Sequence, residues 1–273
     1  MRRARFARHS DGTGSSPNHV LEPGAPADRD CRSTDAPSAP LPAPTDFPVD
    51  AVYAGFKLPE TGELRLWRAA SPYALLDDPH YVREFEQRNE LMPYWGELWP
   101  AGRFLAHYLA RRFSDTDRQL DVLEVGAGIG AAGLAMARLG HRVTLTDAAP
   151  DALRILEIHV RENGLDAGST CSVAMLDYFA PCGWASRYDM IIGSDVLFER
   201  RNSPAVARVL RNLLKPDGLA LISDPCRRTA EPFAADLRGA GFSAGIDHWS
   251  RNDLMEEAMD ASPPMRLFRV RVS

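Results

Sequence analysis

From Asp121 to the C-terminus, short apolar runs alternate with longer amphipathic ones, and no other feature of the sequence constrains the fold as strongly. DVLEVGA (121–127) reads as a strand, AAGLAMARLG (131–140) as a helix closed by Gly140, and HRVTLTD (141–147) as the next strand. APDALRILEIHVRENGL (149–165) places Leu153, Leu156 and Val160 on one helical face and ends near Gly164. STCSVAMLDY (169–178) contains a strand, and YDMIIGSDVLF (188–198) is a strand with its exit loop. Ser203-Pro204 offers an N-cap followed by proline at the first helical position, opening the helix AVARVLRNLLK (205–215). GLALISDP (218–225) is a strand, EPFAADLRGAG (231–241) a helix, and FSAGIDHWS and MRLFRVRVS two final strands. Strands separated by helices of this length predict a mostly parallel sheet covered on both faces. The expected fold class is therefore α/β: a Rossmann-like, doubly wound sheet of seven strands with helices on both faces.

The preceding residues divide in two. Residues 1–48 are rich in Pro, Ser, Asp, Gly and Ala, and SAPLPAPTDFP (38–48) has the composition of a polyproline linker. Such a segment buries too little apolar surface to offset its ordering entropy, so disorder is expected over 1–48. The basic start MRRARFARHS is soon followed by Asp11, Glu22, Asp28 and Asp30, against the acid-poor pattern of transit peptides. Residues 49–92 are expected to form short strands, with a turn at Thr61-Gly62, and then a connection. This small N-terminal β extension would pack on a domain spanning 93–273, in which Phe104, Leu105, Tyr108 and Leu109 mark a first helix. A net charge of −5, with both signs mixed along the chain, gives no footprint for nucleic acid. No apolar run reaches membrane-spanning length, so no membrane partner is expected. The four cysteines lack metal-ligand spacing and read as free thiols of a reducing, cytoplasmic compartment, and no metal is expected.

Chemistry concentrates at VLEVGAGIG (122–130). Gly126, Gly128 and Gly130 allow a sharp turn, and the helix that follows begins with free N–H groups. G-A-G-I-G-A also satisfies the dinucleotide fingerprint, and Asp147 lies about twenty residues on, where such a site keeps its ribose acid. The glycines alone therefore leave two cofactors open. Glu124 favours one of them. A pyrophosphate is a poor neighbour for a carboxylate two residues before the turn. S-adenosylmethionine instead presents an ammonium and a sulfonium, which an acid stabilises directly or through water. The bland alternative is that Glu124 caps local backbone N–H groups.

E-V-G-A-G-I-G, followed by Thr146-Asp147, resembles the class I (seven-β-strand) S-adenosylmethionine-dependent methyltransferases, over about residue 90 to the C-terminus. More narrowly, PYWGELWPAG (93–102), GSDVLFE (193–199) and SDPCRR (223–228) resemble the protein lysine methyltransferases of family 16. The last two stretches are most similar to the branch acting on the electron-transfer flavoprotein beta subunit, which carries G-D-x-x-Y-E and G-D-P-G-R. Here Phe198 stands for the tyrosine and Cys226 for the glycine.

The resemblance implies S-adenosyl-L-methionine as cofactor and a protein substrate presenting a lysine, with a small amine as the alternative. It implies that Trp99 lies over the cofactor (a core aromatic being the plain alternative). Asp177 would accept from the adenine amine, and Tyr178 would pack near the ring. Gly126, Ala127 and Gly128 form the turn, Asp147 accepts the ribose hydroxyls, and Ser194 touches the cofactor from beside the turn. Asp195 stands at the carboxyl end of its strand, where open α/β sheets place ligands. It is expected to position the substrate ammonium rather than act as general base, with Glu199 and Asp224 as second choices and Phe198 as a wall of a lysine channel. Competing readings are a small-molecule N-methyltransferase, a non-catalytic cofactor-binding module, and an NAD-dependent oxidoreductase, which Glu124 opposes.

Overall fold

The computed structural model describes residues 41–59, 61–88, 92–165, 170–181, 183–184, 187–256 and 263–272. Two small antiparallel pairs come first. β1 (Ala51–Tyr53) pairs with β4 (Trp67–Ala69), and β2 (Phe56–Leu58) pairs with β3 (Gly62–Leu64). The expected turn at Thr61-Gly62 is where Gly62 takes φ +78°. α1 (Pro79–Arg88) follows, then a 3₁₀ turn over Tyr94–Gly96 and α2 (Pro100–Phe113), which starts on Pro100 with Trp99 as its N-cap.

The main sheet uses β5 (Asp121–Val125), β6 (Arg142–Asp147), β7 (Cys171–Met175), β8 (Tyr188–Ser194), β9 (Leu214–Asp224), β10 (Phe242–Trp249) and β11 (Met265–Val272). Its order is β10-β11-β9-β8-β5-β6-β7. β5 to β9 run parallel, whereas β11 inserts antiparallel between β9 and β10. The chain therefore reverses strand order beside β5, with β6 on one side and β8 on the other, and ligands of open α/β sheets bind at that switch point.

Between the strands run α3 (Ala131–Arg138), α4 (Pro150–Glu162), α5 (Asn202–Leu213), α6 (Phe233–Gly239) and α7 (Arg251–Glu256). One face of the sheet carries a core that includes Phe104 and Leu105 of α2, Leu134 of α3 and Leu156 of α4, against Val122, Leu145 and Ile192. The other carries Val206 and Leu210 of α5 and Phe233 and Leu237 of α6, against Leu123, Val125, Ile191 and Phe268.

Three expectations change. α5 begins at Asn202, and Ser203 is not its cap: Ser203 Oγ donates to Asp236, while the Asn202 amide donates to Val196 O at 3.1 Å. α5 also ends at Leu213, and β9 takes over Lys215 and the residues before Gly218. Finally, residues 41–48 do not fit a disordered tail. Phe47 packs on the buried Tyr81, Trp95 and Ala149, and Asp46 accepts from Arg161 at 3.0 and 3.1 Å. Residues 1–40 lie outside the described residues.

Candidate active site

At the carboxyl ends of β5, β6 and β8 the glycine turn opens into a cavity of about 490 Å³, well inside the roughly 300–1,000 Å³ of small-molecule sites. Gly126, Gly128 and Gly130 hold φ of +59°, +53° and +80°. A Cβ on Gly126 would stand 2.9 Å from Val196 Cγ1, and one on Gly130 would stand 2.5 Å from Leu156 Cδ2. The turn is tied to β6 through Ala127 N–H to Thr146 O at 2.8 Å, and Thr146 Oγ1 returns a bond to Glu124 O at 2.6 Å.

Trp99, Gly126, Ala127, Gly128, Asp147, Asp177, Tyr178, Ser194, Asp195 and Phe198 all border this cavity. Asp147 Oδ2 accepts from Gly128 N–H at 2.9 Å and Oδ1 from Ala149 N–H at 3.0 Å. Burial raises its pKa, and those N–H bonds oppose the rise. Asp177 Oδ1 accepts from Phe179 N–H at 2.7 Å, leaving its second oxygen for a ligand. Burial raises the Tyr178 pKa, helped by the negative charge of Asp147, Glu199 and Asp177, so its hydroxyl stays protonated. Ser194 ends β8 beneath α2, and a Cβ on Gly102 would sit 3.3 Å from its Oγ.

Glu124 is the exception. It does not border the cavity. Its side chain is buried under α3, where Oε2 accepts from Gly133 N–H at 2.8 Å. Burial pushes its pKa up to about 8, the Gly133 bond pulls it down, and the charge of Asp147 adds to the rise. The expected contact with a cofactor ammonium is corrected to a backbone cap, which removes one of the free N–H groups at the start of α3.

Asp195 borders the cavity already paired. It is 8 % exposed, with φ +54°, and its oxygens receive Arg227 Nε at 2.5 Å and a terminal Arg227 nitrogen at 2.8 Å. The ion pair raises the Arg227 pKa further. Of the second choices, Glu199 borders the cavity and pairs with Arg201 at 2.6 Å. Asp224 does not border it: fully buried, it binds Arg266 at 2.7 Å and Arg227 N–H at 2.8 Å. Sequence reasoning missed Arg227, Glu97 and Tyr94. Tyr94 meets Phe198 edge-on at 5.3 Å and Trp99 at 6.3 Å, so three rings form one aromatic corner. Trp99 Nε1 donates to Tyr94 O at 2.8 Å and fixes that corner.

Among the described residues bordering the cavity, Arg227 is the one basic side chain, and Asp195 already holds it. The remaining charges are carboxylates: Glu97, Asp147, Asp177 and Glu199. A pyrophosphate would meet a row of carboxylates around such a turn, whereas a ligand with an ammonium, a sulfonium, a ribose and an adenine matches it. Fold and site thus define an S-adenosyl-L-methionine-dependent methyltransferase.

Residues 86–234 match the family model described as lysine methyltransferase, and the chain belongs to that family. It is 34% identical to protein N-lysine methyltransferase METTL21A of Danio rerio, over 58% of this chain and 73% of the relative. It is 29% identical to a ubiquinone biosynthesis O-methyltransferase of Methylocella silvestris, over 66% of this chain and 65% of that one. The glycopeptide N-methyltransferase MtfA shares the fold, with a TM-score of 0.51 and 15% identity over 63% of this chain and 90% of its own. MtfA has also been solved with S-adenosyl-L-methionine bound, at a TM-score of 0.50.

Proposed function

We propose that the enzyme methylates the side-chain amine of a lysine in a protein acceptor. The observation that carries this reading is the aromatic corner of Tyr94, Trp99 and Phe198, which lines the same cavity as the Asp195–Arg227 pair. Ring faces attract an ammonium, and ring edges shed water from a long alkyl stem. The lysine methyltransferase family of the chain supports the same acceptor.

The bound cofactor supplies an electrophilic methyl group on a sulfonium. Everything else is positioning. In this reading the glycine turn and Trp99 hold the aminoacyl end, Asp147 takes the ribose hydroxyls, and Asp177 with Tyr178 takes the adenine. The arriving amine is protonated, with a reference pKa of roughly 10.4, so freeing its lone pair at neutral pH costs about 4–5 kcal/mol. Enclosure by Tyr94, Trp99 and Phe198 desolvates the ammonium and lowers that cost. Both Asp195 oxygens are taken by Arg227, and the proton leaves to water. Asp195 and Arg227 therefore act as a fixed, nearly neutral wall that orients the amine, not as a general base. The residues around the amine would aim its lone pair in line with the methyl group, which the nitrogen would take while the cofactor departs as the neutral thioether.

The two described cysteines, Cys171 and Cys226, are unpaired, which supports a cytoplasmic setting; among the described residues no helix is long and apolar enough to cross a membrane. Supplying radiolabelled S-adenosylmethionine to a source-cell lysate tests the acceptor class. We expect label in protein bands with wild type, and its loss with Asp195→Ala, which should still bind S-adenosylhomocysteine. Label confined to small molecules would overturn the protein acceptor.

A further inference from the structure

The cofactor carries an ammonium group that needs a carboxylate near the glycine turn, and Glu124 does not reach the cavity. Five carboxylates do border it. Asp147 and Asp177 stand at the β6 and β7 ends, where the proposed reading gives them the ribose and the adenine. Asp195 is forked onto Arg227, and Glu199 is paired with Arg201. Glu97 remains. It lies just after the 3₁₀ turn, whose Trp95 Cα would meet a Cβ on Gly128 at 3.6 Å, so its segment rests directly on the glycine turn.

Glu97 is also held for the task. Its Oε1 accepts from Leu98 N–H at 2.8 Å, which pins the carboxylate to the start of α2. Its Oε2 pairs with an outer nitrogen of Arg68 at 3.4 Å, an ion pair long enough to leave acceptor capacity open. Arg68 is itself anchored, through a bond to Ala69 O at 3.0 Å. It belongs to β4, in the strand extension that precedes the family match. The residue before it, Trp67, reaches the turn by a second route. Trp67 N–H donates to His159 Nε2 at 2.9 Å, and His159 Nδ1 donates to Ile129 O, also at 2.9 Å. β4 thus supports the glycine turn through Trp67 and the facing carboxylate through Arg68.

We infer that Glu97 is the carboxylate that receives the cofactor's ammonium, and that Arg68 of β4 holds it in position. The inference rests on S-adenosylmethionine as the cofactor. It gives the N-terminal strands a part in cofactor binding beyond covering the core.

Two ligands separate the possibilities by calorimetry. S-adenosylhomocysteine has the amino-acid end, and 5′-methylthioadenosine lacks it. Glu97→Gln keeps an acceptor for Leu98 N–H, so the fold is retained, which melting of the free protein checks. We expect Glu97→Gln to bind S-adenosylhomocysteine at least tenfold more weakly and 5′-methylthioadenosine as wild type does. Arg68→Met should show the same selectivity with a smaller factor. Unchanged affinity of Glu97→Gln for S-adenosylhomocysteine, or an equal loss for both ligands, overturns the assignment. Failure of wild type to bind either ligand would overturn the cofactor itself, a result distinct from both.

Discussion

Glu124→Gln offers a direct measurement of what a buried acid does to this fold. The Glu124 carboxyl has its pKa pushed from 4.5 to about 8, with desolvation the largest cause. Between those values the folded chain holds a proton that the unfolded chain has released. Stability therefore falls as pH rises through that window, by about 1.4 kcal/mol per unit, and levels off above the native value. At pH 7 the burden is about 3 kcal/mol, the 2.5-unit gap multiplied by 1.36. Glutamine is isosteric, does not titrate and still accepts from Gly133 N–H. Urea unfolding of both proteins at pH 5, 6, 7 and 8 isolates the carboxyl, because every group not coupled to Glu124 cancels in the difference. Wild type should lose about 4 kcal/mol relative to the variant across that range. A difference that stays flat within about 0.5 kcal/mol would refute the reasoning, and would mean that Glu124 is ionised when folded and meets a cation there.

Other substitutions probe single contacts. Gly126→Ala forces a side chain to φ +59° and against Val196, so it should lower stability by about 1–3 kcal/mol and weaken S-adenosylhomocysteine binding in a thermal shift titration. Cys226 holds φ +58° where the resembled branch carries glycine; Cys226→Gly should stabilise by about 1 kcal/mol in denaturant unfolding, since the left-handed conformation costs a side chain roughly that much. His159 is buried and neutral, its pKa lowered by burial from 6.5 to about 4. Its support is complete above pH 6.5 and shrinks as pH falls toward the native value, by up to about 3 kcal/mol. His159→Phe should lower stability at pH 7 by about 2–4 kcal/mol by orphaning Trp67 N–H and Ile129 O, and abolish that part of the acid sensitivity. Arg227→Met strands the Asp195 carboxylate; with the arginine side chain 37% exposed, the cost in urea unfolding should be about 2 kcal/mol, below the 3–5 of a fully buried pair.

Local pattern made most of the fold legible. The strands β5 and β8 stand out because they are buried on both faces and read as apolar runs, and the glycines after α3 and α4 take the left-handed values that close helices, φ +88° at Gly140 and +64° at Gly164. What the pattern lacks is partner identity. Nothing in FSAGIDHWS or MRLFRVRVS says that β11 passes β10 to bond with β9; that choice belongs to pairing between distant segments. The α5 start shows the same limit on a smaller scale. Ser203 has the chemistry of a cap, but Asp236, thirty-three residues away, claims its hydroxyl, and the helix starts at Asn202, two residues before the expected Pro204. Phe47 and Asp46, read as linker, find their partners on α4 and beside it.

The site divides along the same line. The glycine turn was readable because positive φ leaves a mark on residue type. The role of Glu124 depended on direction. Side chains of a strand alternate, so Val122 and Glu124 share one face while Leu123 and Val125 take the other, and these valine and leucine side chains do fall in separate cores. A carboxylate at position 124 therefore faces a layer of helices, not the crevice beyond the strand ends. That much follows from parity alone. What parity cannot give is that α3 approaches closely enough for Gly133 to bind it, an approach so tight that a Cβ there would stand 2.5 Å from Oε2 and 2.3 Å from Leu145 Cδ2. Acids at the strand ends, such as Asp147 and Asp195, border the cavity from the sheet side, and a further acid reaches it only from a segment that crosses over the glycine turn. PYWGELWP is such a segment, crossing above Gly128, and its one acid is Glu97.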